Sequence, residues 1–329
     1  MLKLGIIGTN WITGQFIAAA EETQQYTLTA VYSRHEDTAR KFAEDNHHPE
    51  VALFTDLNKF WASSAFDTVY IASPNSLHGP QAVAAIKAGK NVIVEKPMVA
   101  STSQLHQLTD ALAAHPDAFL FEAARHLYEP NFAMVRDFAR QREISGATLV
   151  YMKYSSRYDA YLAGKEPNVF TTRFAGGALM DLGVYVVYAA LDWFGVPQHA
   201  QYVPSMLASG VDGSGCLHLD YADFGVNLIF GKTTQSYLPS EIYSGKQTLV
   251  LDAPESITSI KLRGGADDRE LAGPQDDNPM VREASFFAKA IATNDTQARD
   301  KQFALAKQVH ELMISVRMAA GIHFPADDE

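Results

Sequence analysis

The sequence predicts an α/β protein of two domains. The first is an N-terminal Rossmann-type, doubly wound parallel sheet, and the second a C-terminal α+β domain built on a large, mostly antiparallel open sheet. Three observations predict it. Over residues 1–120 short continuous apolar runs alternate with helical patterns, the signature of βαβ units whose strands are buried on both faces. From about Ala147 onward the extended runs crowd together and are joined by Gly-containing turns such as Ser244-Gly245-Lys246, as in hairpins. At 329 residues the chain is too long for one ordinary core and comfortable for two. The change of pattern divides it into 1–121 and 122–329.

The elements follow in order. Leu2–Ile7 is an apolar run ending in Gly8, and a helix carrying Phe16, Ile17 and Ala20 comes next. Leu28–Tyr32 is a second strand, with a helix from about Asp37 to Glu44. Thr68–Ala72 is a third, closed by Pro74 and Asn75. Pro80–Ala88 reads as a helix stopped by Gly89, which supplies a left-handed turn. Asn91–Val94 and, after a Leu-rich helix from Ser103, Ala118–Phe121 complete the parallel set. The second half offers strands at Thr148–Ser156, Cys216–Tyr221, Val226–Phe230, Glu241–Tyr243, Thr248–Leu251 and Ile257–Lys261. One helix, Gly177–Phe194, interrupts them, and two more close the chain near Met280–Thr293 and Lys301–Ala320, with Gly321 as the stop.

Composition narrows the function classes. A content of 47% hydrophobic and 20% charged residues is that of a folded globular chain. Lys+Arg is 27 against Asp+Glu 38, a net charge of −11. Such a surface repels phosphate backbones and anionic lipid, so a small-molecule substrate is expected, and neither nucleic acid nor membrane. The single cysteine, Cys216, allows no intramolecular disulfide and fits a reducing compartment. The N-terminus, MLKLGIIGTNWITG, lacks the apolar core and cleavage pattern of a signal peptide, and no run is read as long enough to cross a bilayer. A cytoplasmic location is expected. A broad open sheet suits a subunit interface, so a homodimer or homotetramer through the C-terminal sheet is expected too.

The first βα turn, Gly8-Thr9-Asn10-Trp11-Ile12-Thr13-Gly14, lies where a dinucleotide fingerprint belongs, with a helix N-terminus facing a pyrophosphate. The match to G-x-G-x-x-G is degraded: Asn10 stands at the second glycine and Thr13 at the third. An ordinary tight turn fits these residues too; their position at the end of strand one favours the cofactor loop. Asn tolerates positive φ, but its side chain would crowd the phosphate. The second strand ends at Ser33-Arg34, a hydroxyl and a guanidinium where an NAD enzyme usually has an acid. That choice suits the extra phosphate of NADP, which puts NADP(H) ahead of NAD(H).

Lys96 follows an apolar strand at the carboxyl edge of the sheet, where open α/β sheets bind ligands. A solvated lysine at a strand end is the plainer reading. Asp181 and Tyr185 are four apart on a helix, GALMDLGVYVVYAALDWF, that is apolar nearly all round. An Asp buried there needs a partner: either it satisfies backbone donors while Tyr185 packs as a core aromatic, or both serve chemistry. The His47-His48 pair has no companion at ligand spacing, and no metal site is expected.

The run Asp67–His78, containing Ser73-Pro74-Asn75 and His78, followed by Gly89-Lys90-Asn91 and Glu95-Lys96-Pro97, resembles the Gfo/Idh/MocA oxidoreductases. The likeness continues through Glu122-Ala123, the stretch Gly176–Tyr185 and the closing Ala320–Pro325. It implies that Ser73, Pro74, Asn75 and His78 line a cofactor cleft, and that Glu95-Lys96-Pro97, with a cis Lys–Pro bond, sets Lys96 beside nicotinamide and substrate. It also implies proton chemistry at Asp181 and Tyr185 and a substrate-side role for Arg173. A neighbouring ammonium such as Lys96 would favour the Tyr185 phenolate, the phenol having an unperturbed pKa near 10. Arg125 and Leu127 depart from the family's frequent aromatic-Arg pattern, leaving His126 as the nearest polar group there. The implied activity is hydride transfer between NAD(P)(H) and a carbinol or carbonyl of a sugar, polyol or cyclic diol. Two alternatives stay open: a non-catalytic cofactor-sensing regulator of the same fold, and an NAD-retaining glycosidase.

Overall fold

Both-face burial gathers the apolar runs of the N-terminal third into one parallel sheet, seen here in a computed structural model that describes residues 1–265 and 268–328. Its strands are β1 (Leu2–Ile7), β2 (Tyr26–Tyr32), β3 (Ala52–Phe54), β4 (Thr68–Ile71), β5 (Asn91–Glu95) and β6 (Leu120–Ala123). They lie in the order β3-β2-β1-β4-β5-β6, every pair parallel. This is the Rossmann order, and its winding reverses between β1 and β4, where a crevice opens at the carboxyl ends. Val69, Tyr70, Ile71, Val92, Ile93 and Val94 are fully buried. Helices α1 (Trp11–Glu22), α2 (Glu36–Asp45), α3 (Leu57–Ala62), α4 (His78–Lys87) and α5 (Thr102–Ala114) make the connections. Asn10, Asp56 and Ser101 cap α1, α3 and α5, each side chain accepting from an orphan N–H of the first turn.

The second half is built differently. After α6 (Pro130–Arg140) come β7 (Gly146–Met152), α7 (Tyr158–Leu162) and α8 (Val184–Phe194). Then follow β8 (His199–Met206), β9 (Asp212–Asp220), β10 (Gly225–Gly231), β11 (Ser240–Ser244), β12 (Gln247–Leu251), β13 (Ile260–Arg263) and β14 (Arg269–Glu270). The sheet order is β14-β13-β12-β11-β7-β10-β9-β8, antiparallel except for the β7–β10 pair. One face is covered: Leu217, Leu219, Val226, Leu228 and Phe230 are fully buried, while Val203 and Met206 on β8 stand open. The turn at Gly245 joins β11 to β12 as the sequence predicts.

Two expectations are corrected here. The segment Thr172–Phe194 is long and apolar enough to cross a bilayer, contrary to the reading that no run is. Most of it is buried inside the protein, because a helix enclosed by a large core is as apolar as a spanning one. Nor is Gly177–Phe194 one uniform α-helix: Leu179–Gly183 is a π turn that leads into α8.

The chain closes with α9 (Val281–Ala292) and α10 (Thr296–Ala319). It forms two units, Met1–Ala124 with Asp276–Ala304, and Arg125–Gln275 with Leu305 onward. The return of 276–304 to the first unit has clear causes. The Tyr26 hydroxyl donates to the Ala284 carbonyl at 2.7 Å, and Phe287 stacks on Phe121 with centroids 4.8 Å apart.

Gly8 ends β1 with φ +102, and a Cβ there would run into the Ala72 carbonyl beyond β4. Gly89 also has positive φ, +72, but a Cβ there meets nothing. Gly8→Ala is therefore expected to cost about 2–4 kcal/mol, strain plus a clash, and Gly89→Ala about 1 kcal/mol, strain alone. Urea unfolding of the two variants checks the difference.

Candidate active site

The carboxyl edge of the parallel sheet holds a set of interlocked loops. Asn10 does not crowd that edge as its type suggests. Its Oδ1 accepts from the Ile12 and Thr13 amides at 3.0 and 3.3 Å, and its Nδ2 donates to the Ala72 carbonyl at 2.9 Å. The side chain thus takes over the job of tying the turn to β4 and leaves the loop Gly8-Thr9-Asn10-Trp11-Ile12 open on its outer side, where Trp11 is 74% exposed. Ser33 and Arg34 follow β2 directly; the Ser33 amide donates to Phe54 O, and Arg34 is exposed. Among the described residues no carboxylate pairs with Arg34, so its guanidinium is available to an anion.

After β4, the Ser73 hydroxyl bonds Gln81, and the Ser73 carbonyl faces His78 Nε2 at 2.7 Å. His78 Nδ1 faces the Pro97 carbonyl at 2.9 Å. One buried imidazole therefore bridges the Ser73-Pro74-Asn75 loop to the Lys96-Pro97 turn. Burial lowers its pKa, against the two carbonyls and Glu122, which raise it. The Lys96–Pro97 peptide is cis. Lys96 is half-buried, and the Glu95 carboxylate behind it accepts from the Tyr70 hydroxyl at 2.5 Å. Gln104, from α5, accepts from the Ala100 amide and donates to Ser76 O, locking both loops together.

The second unit supplies a separate polar cluster. Tyr185, near the start of α8, is half-buried with its ring against His126 (centroids 5.0 Å) and Tyr151 (5.6 Å, interplanar angle 88°). Asp181 lies in the preceding π turn, and its carboxylate is ion-paired with Lys232, whose side chain is only 1% exposed. Lys232 also lies over the Phe170 ring. Asp212 completes the arrangement: it accepts from the Leu179 amide and the Tyr202 hydroxyl, both at 2.6 Å. Burial raises the Asp212 pKa, opposed by those donors and by Lys232. Gly177, at φ +113, is needed for this cap, since a Cβ there would strike Asp212 Oδ1. Arg173 is exposed, its guanidinium over the Phe174 ring.

The profile of the Gfo/Idh/MocA family, described as an oxidoreductase family with an NAD-binding Rossmann fold, matches residues 2–123. The scyllo-inositol 2-dehydrogenase (NADP+) IolU of Bacillus subtilis is 37% identical over 331 residues, 99% of each chain. The oxidoreductase YgjR of Escherichia coli is also 37% identical, over 99% of each chain. This chain belongs to the Gfo/Idh/MocA family. The crystal structure of KijD10, a 3-ketoreductase from Actinomadura kijaniata, with NADP and TDP-benzene, shares the fold. It superposes with a TM-score of 0.84 at 20% identity, covering 96% of this chain and 97% of that one.

As a Gfo/Idh/MocA member the protein is an NAD(P)-dependent oxidoreductase, and its carboxyl edge fits a dinucleotide. An open turn at a helix N-terminus suits a pyrophosphate, and Arg34 suits a further phosphate. Sequence reading missed Lys232, Asp212, Tyr151 and Gln104. Lys232 follows a strand as any exposed lysine might, and nothing in its neighbours announces a partner 51 positions away.

Lys232 is the counter-charge for two carboxylates, so Lys232→Met is expected to destabilise the fold by about 3 kcal/mol, the cost of breaking a buried pair. Adding Asp181→Asn should return part of that loss. A double-mutant cycle by urea unfolding measures the coupling.

Proposed function

We propose that this oxidoreductase transfers a hydride between NADP(H), with NAD(H) the second choice, and a carbinol or carbonyl carbon of a cyclic polyol or sugar. The kinship with a scyllo-inositol dehydrogenase at 37% identity supports the substrate class. The observation that carries the reading is a half-buried lysine closing β5 at the carboxyl edge, together with a half-buried tyrosine set beside an ion-paired aspartate.

Bound nicotinamide supplies or accepts the hydride. The chain's own work is to hold the reacting carbon and to move one proton. In the oxidising direction the carbinol carbon gives up its hydrogen with both electrons, the C–O bond becomes a carbonyl, and the hydroxyl proton passes to Tyr185. In the reducing direction Tyr185 returns it. The Lys96 ammonium donates a hydrogen bond to the substrate oxygen. Asp181, fixed by Lys232, orients Tyr185, and His126 and Arg173 lie on the substrate side. Gly8, Thr9, Asn10, Trp11 and Ile12 hold the pyrophosphate, Ser33 and Arg34 the 2′-phosphate, and Ser73, Pro74, Asn75, His78, Glu95 and Pro97 shape the nicotinamide end. The reading includes a homodimer or homotetramer through the open face of the eight-stranded sheet, and a cytoplasmic location.

Tyr185→Phe is expected to keep cofactor affinity while lowering turnover by about 10²–10⁴-fold, the usual worth of a positioned acid–base group, and Lys96→Met to lower turnover likewise. Stopped-flow titration of NADPH and steady-state rates on inositols, aldoses and diols check it; unchanged turnover in Tyr185→Phe removes the assignment. Binding without net oxidation of any substrate would instead indicate a regulator, and glycoside cleavage without net redox change a glycosidase. Arg34→Asp is expected to move preference from NADP towards NAD, read as the ratio of the two kcat/KM values.

A further inference from the structure

Glu255 lies in the loop between β12 and β13, away from every motif that the sequence singles out. The loop is well tied. The Asp252 carboxylate accepts from the Thr258 amide, and Asn131 from α6 donates to the Ile257 carbonyl at 2.8 Å. Glu255 is thereby set beside Tyr151, close enough for its carboxyl group to act on the phenol. Among the described residues Glu255 Oε2 is buried and has no hydrogen-bond partner. A native protein keeps such a group only for a reason, because burying an unsatisfied carboxylate is costly.

Tyr151 is the link. Its ring stands edge-on to that of Tyr185, 5.6 Å away and 88° inclined. We propose that Glu255 is a positioning residue of the active centre: acting through Tyr151, its carboxyl group sets how readily the Tyr185 phenol gives up its proton. The inference rests on the reading of Tyr185 as the proton-moving group. Burial and the nearby carboxylate push the Tyr151 pKa well above the usual phenol range, so Tyr151 keeps its proton. Burial also raises the Glu255 pKa, against its own amide, Tyr151, Arg125 and Lys153, which lower it. The other charged groups facing this chain of contacts are Asp181, paired with Lys232, beside Tyr151, and His126 against Tyr185.

The sign follows directly. A neutral Glu255 leaves Tyr185 free to form its phenolate. An ionised Glu255 adds a negative charge one ring away and disfavours that phenolate. As pH rises through the elevated Glu255 range, Tyr185 therefore becomes harder to deprotonate.

The experiment is the pH profile of kcat for oxidation of a cyclic polyol by NADP, whose rising limb reports loss of the Tyr185 proton. Glu255→Gln removes the charge but keeps the shape, and is expected to move that limb about one pH unit towards acid. Tyr151→Phe, which weakens the hold on the ionised carboxyl, should move it in the same direction by less, and Glu255→Asp should restore it. KM for NADP should not change. A uniform fall in kcat with the limb in place, in both Glu255→Gln and Tyr151→Phe, overturns the proposal. The parent reading is tested separately: full turnover in Tyr185→Phe defeats both, whereas an inactive Tyr185→Phe beside an unmoved limb defeats this inference alone.

Discussion

A parallel sheet buried on both faces meets solvent only along its strand ends, and that constraint orders the first unit. The strands are nearly all apolar, so the polar side chains that loop backbones require must gather at the edges. At the carboxyl edge they form one fabric. Asn10 ties the first turn to Ala72, His78 spans Ser73 and Pro97, Gln104 joins Ala100 to Ser76, and Glu95 takes the Tyr70 hydroxyl. Lys96 is presented by this fabric and not by a flexible segment, which is what a positioned ammonium requires.

The eight-stranded sheet of the second unit solves a different problem, that of keeping charge inside a core. A lysine with 1% side-chain exposure is tolerated because Asp181 pairs with it and Asp212 adds a second negative group. Asp212 in turn is held by Tyr202 and by the first free amide of the helix it caps. Helix start, buried cation and the aspartate beside Tyr185 are therefore one connected arrangement.

Much of this was legible in the sequence, for physical reasons. Period and burial announce β1, β2, β4 and β5, and Gly89 and Gly321 mark helix ends by their left-handed φ. The three residues of β3 and the two of β14 carry too little pattern to be seen, and β8, with Val203 and Met206 exposed, lacks an apolar alternation. Local pattern also gives no sign that α9 packs beside Phe121 and Tyr26, since that depends on contacts between residues far apart in the sequence. Candidate residues carried by compact motifs, such as Ser73-Pro74-Asn75 and Glu95-Lys96-Pro97, were readable. Lys232, Tyr151 and Glu255 were not, because each gains its meaning from a partner on another strand or loop. Asn10 departs from the glycine fingerprint; only its side-chain hydrogen bonds disclose a substitute for it.

The π turn at Leu179–Gly183 has a consequence for how the protein can change over evolutionary time. Such a turn carries one residue more than an α-helix needs. Loss of a single codon there would re-aim the aspartate by roughly 100° about the helix axis. Val186, Val187 and Tyr188, downstream, would stay in the core. Lineages of this fold thus have a way to alter the direction of an acid by an indel, with no exchange of one amino acid for another.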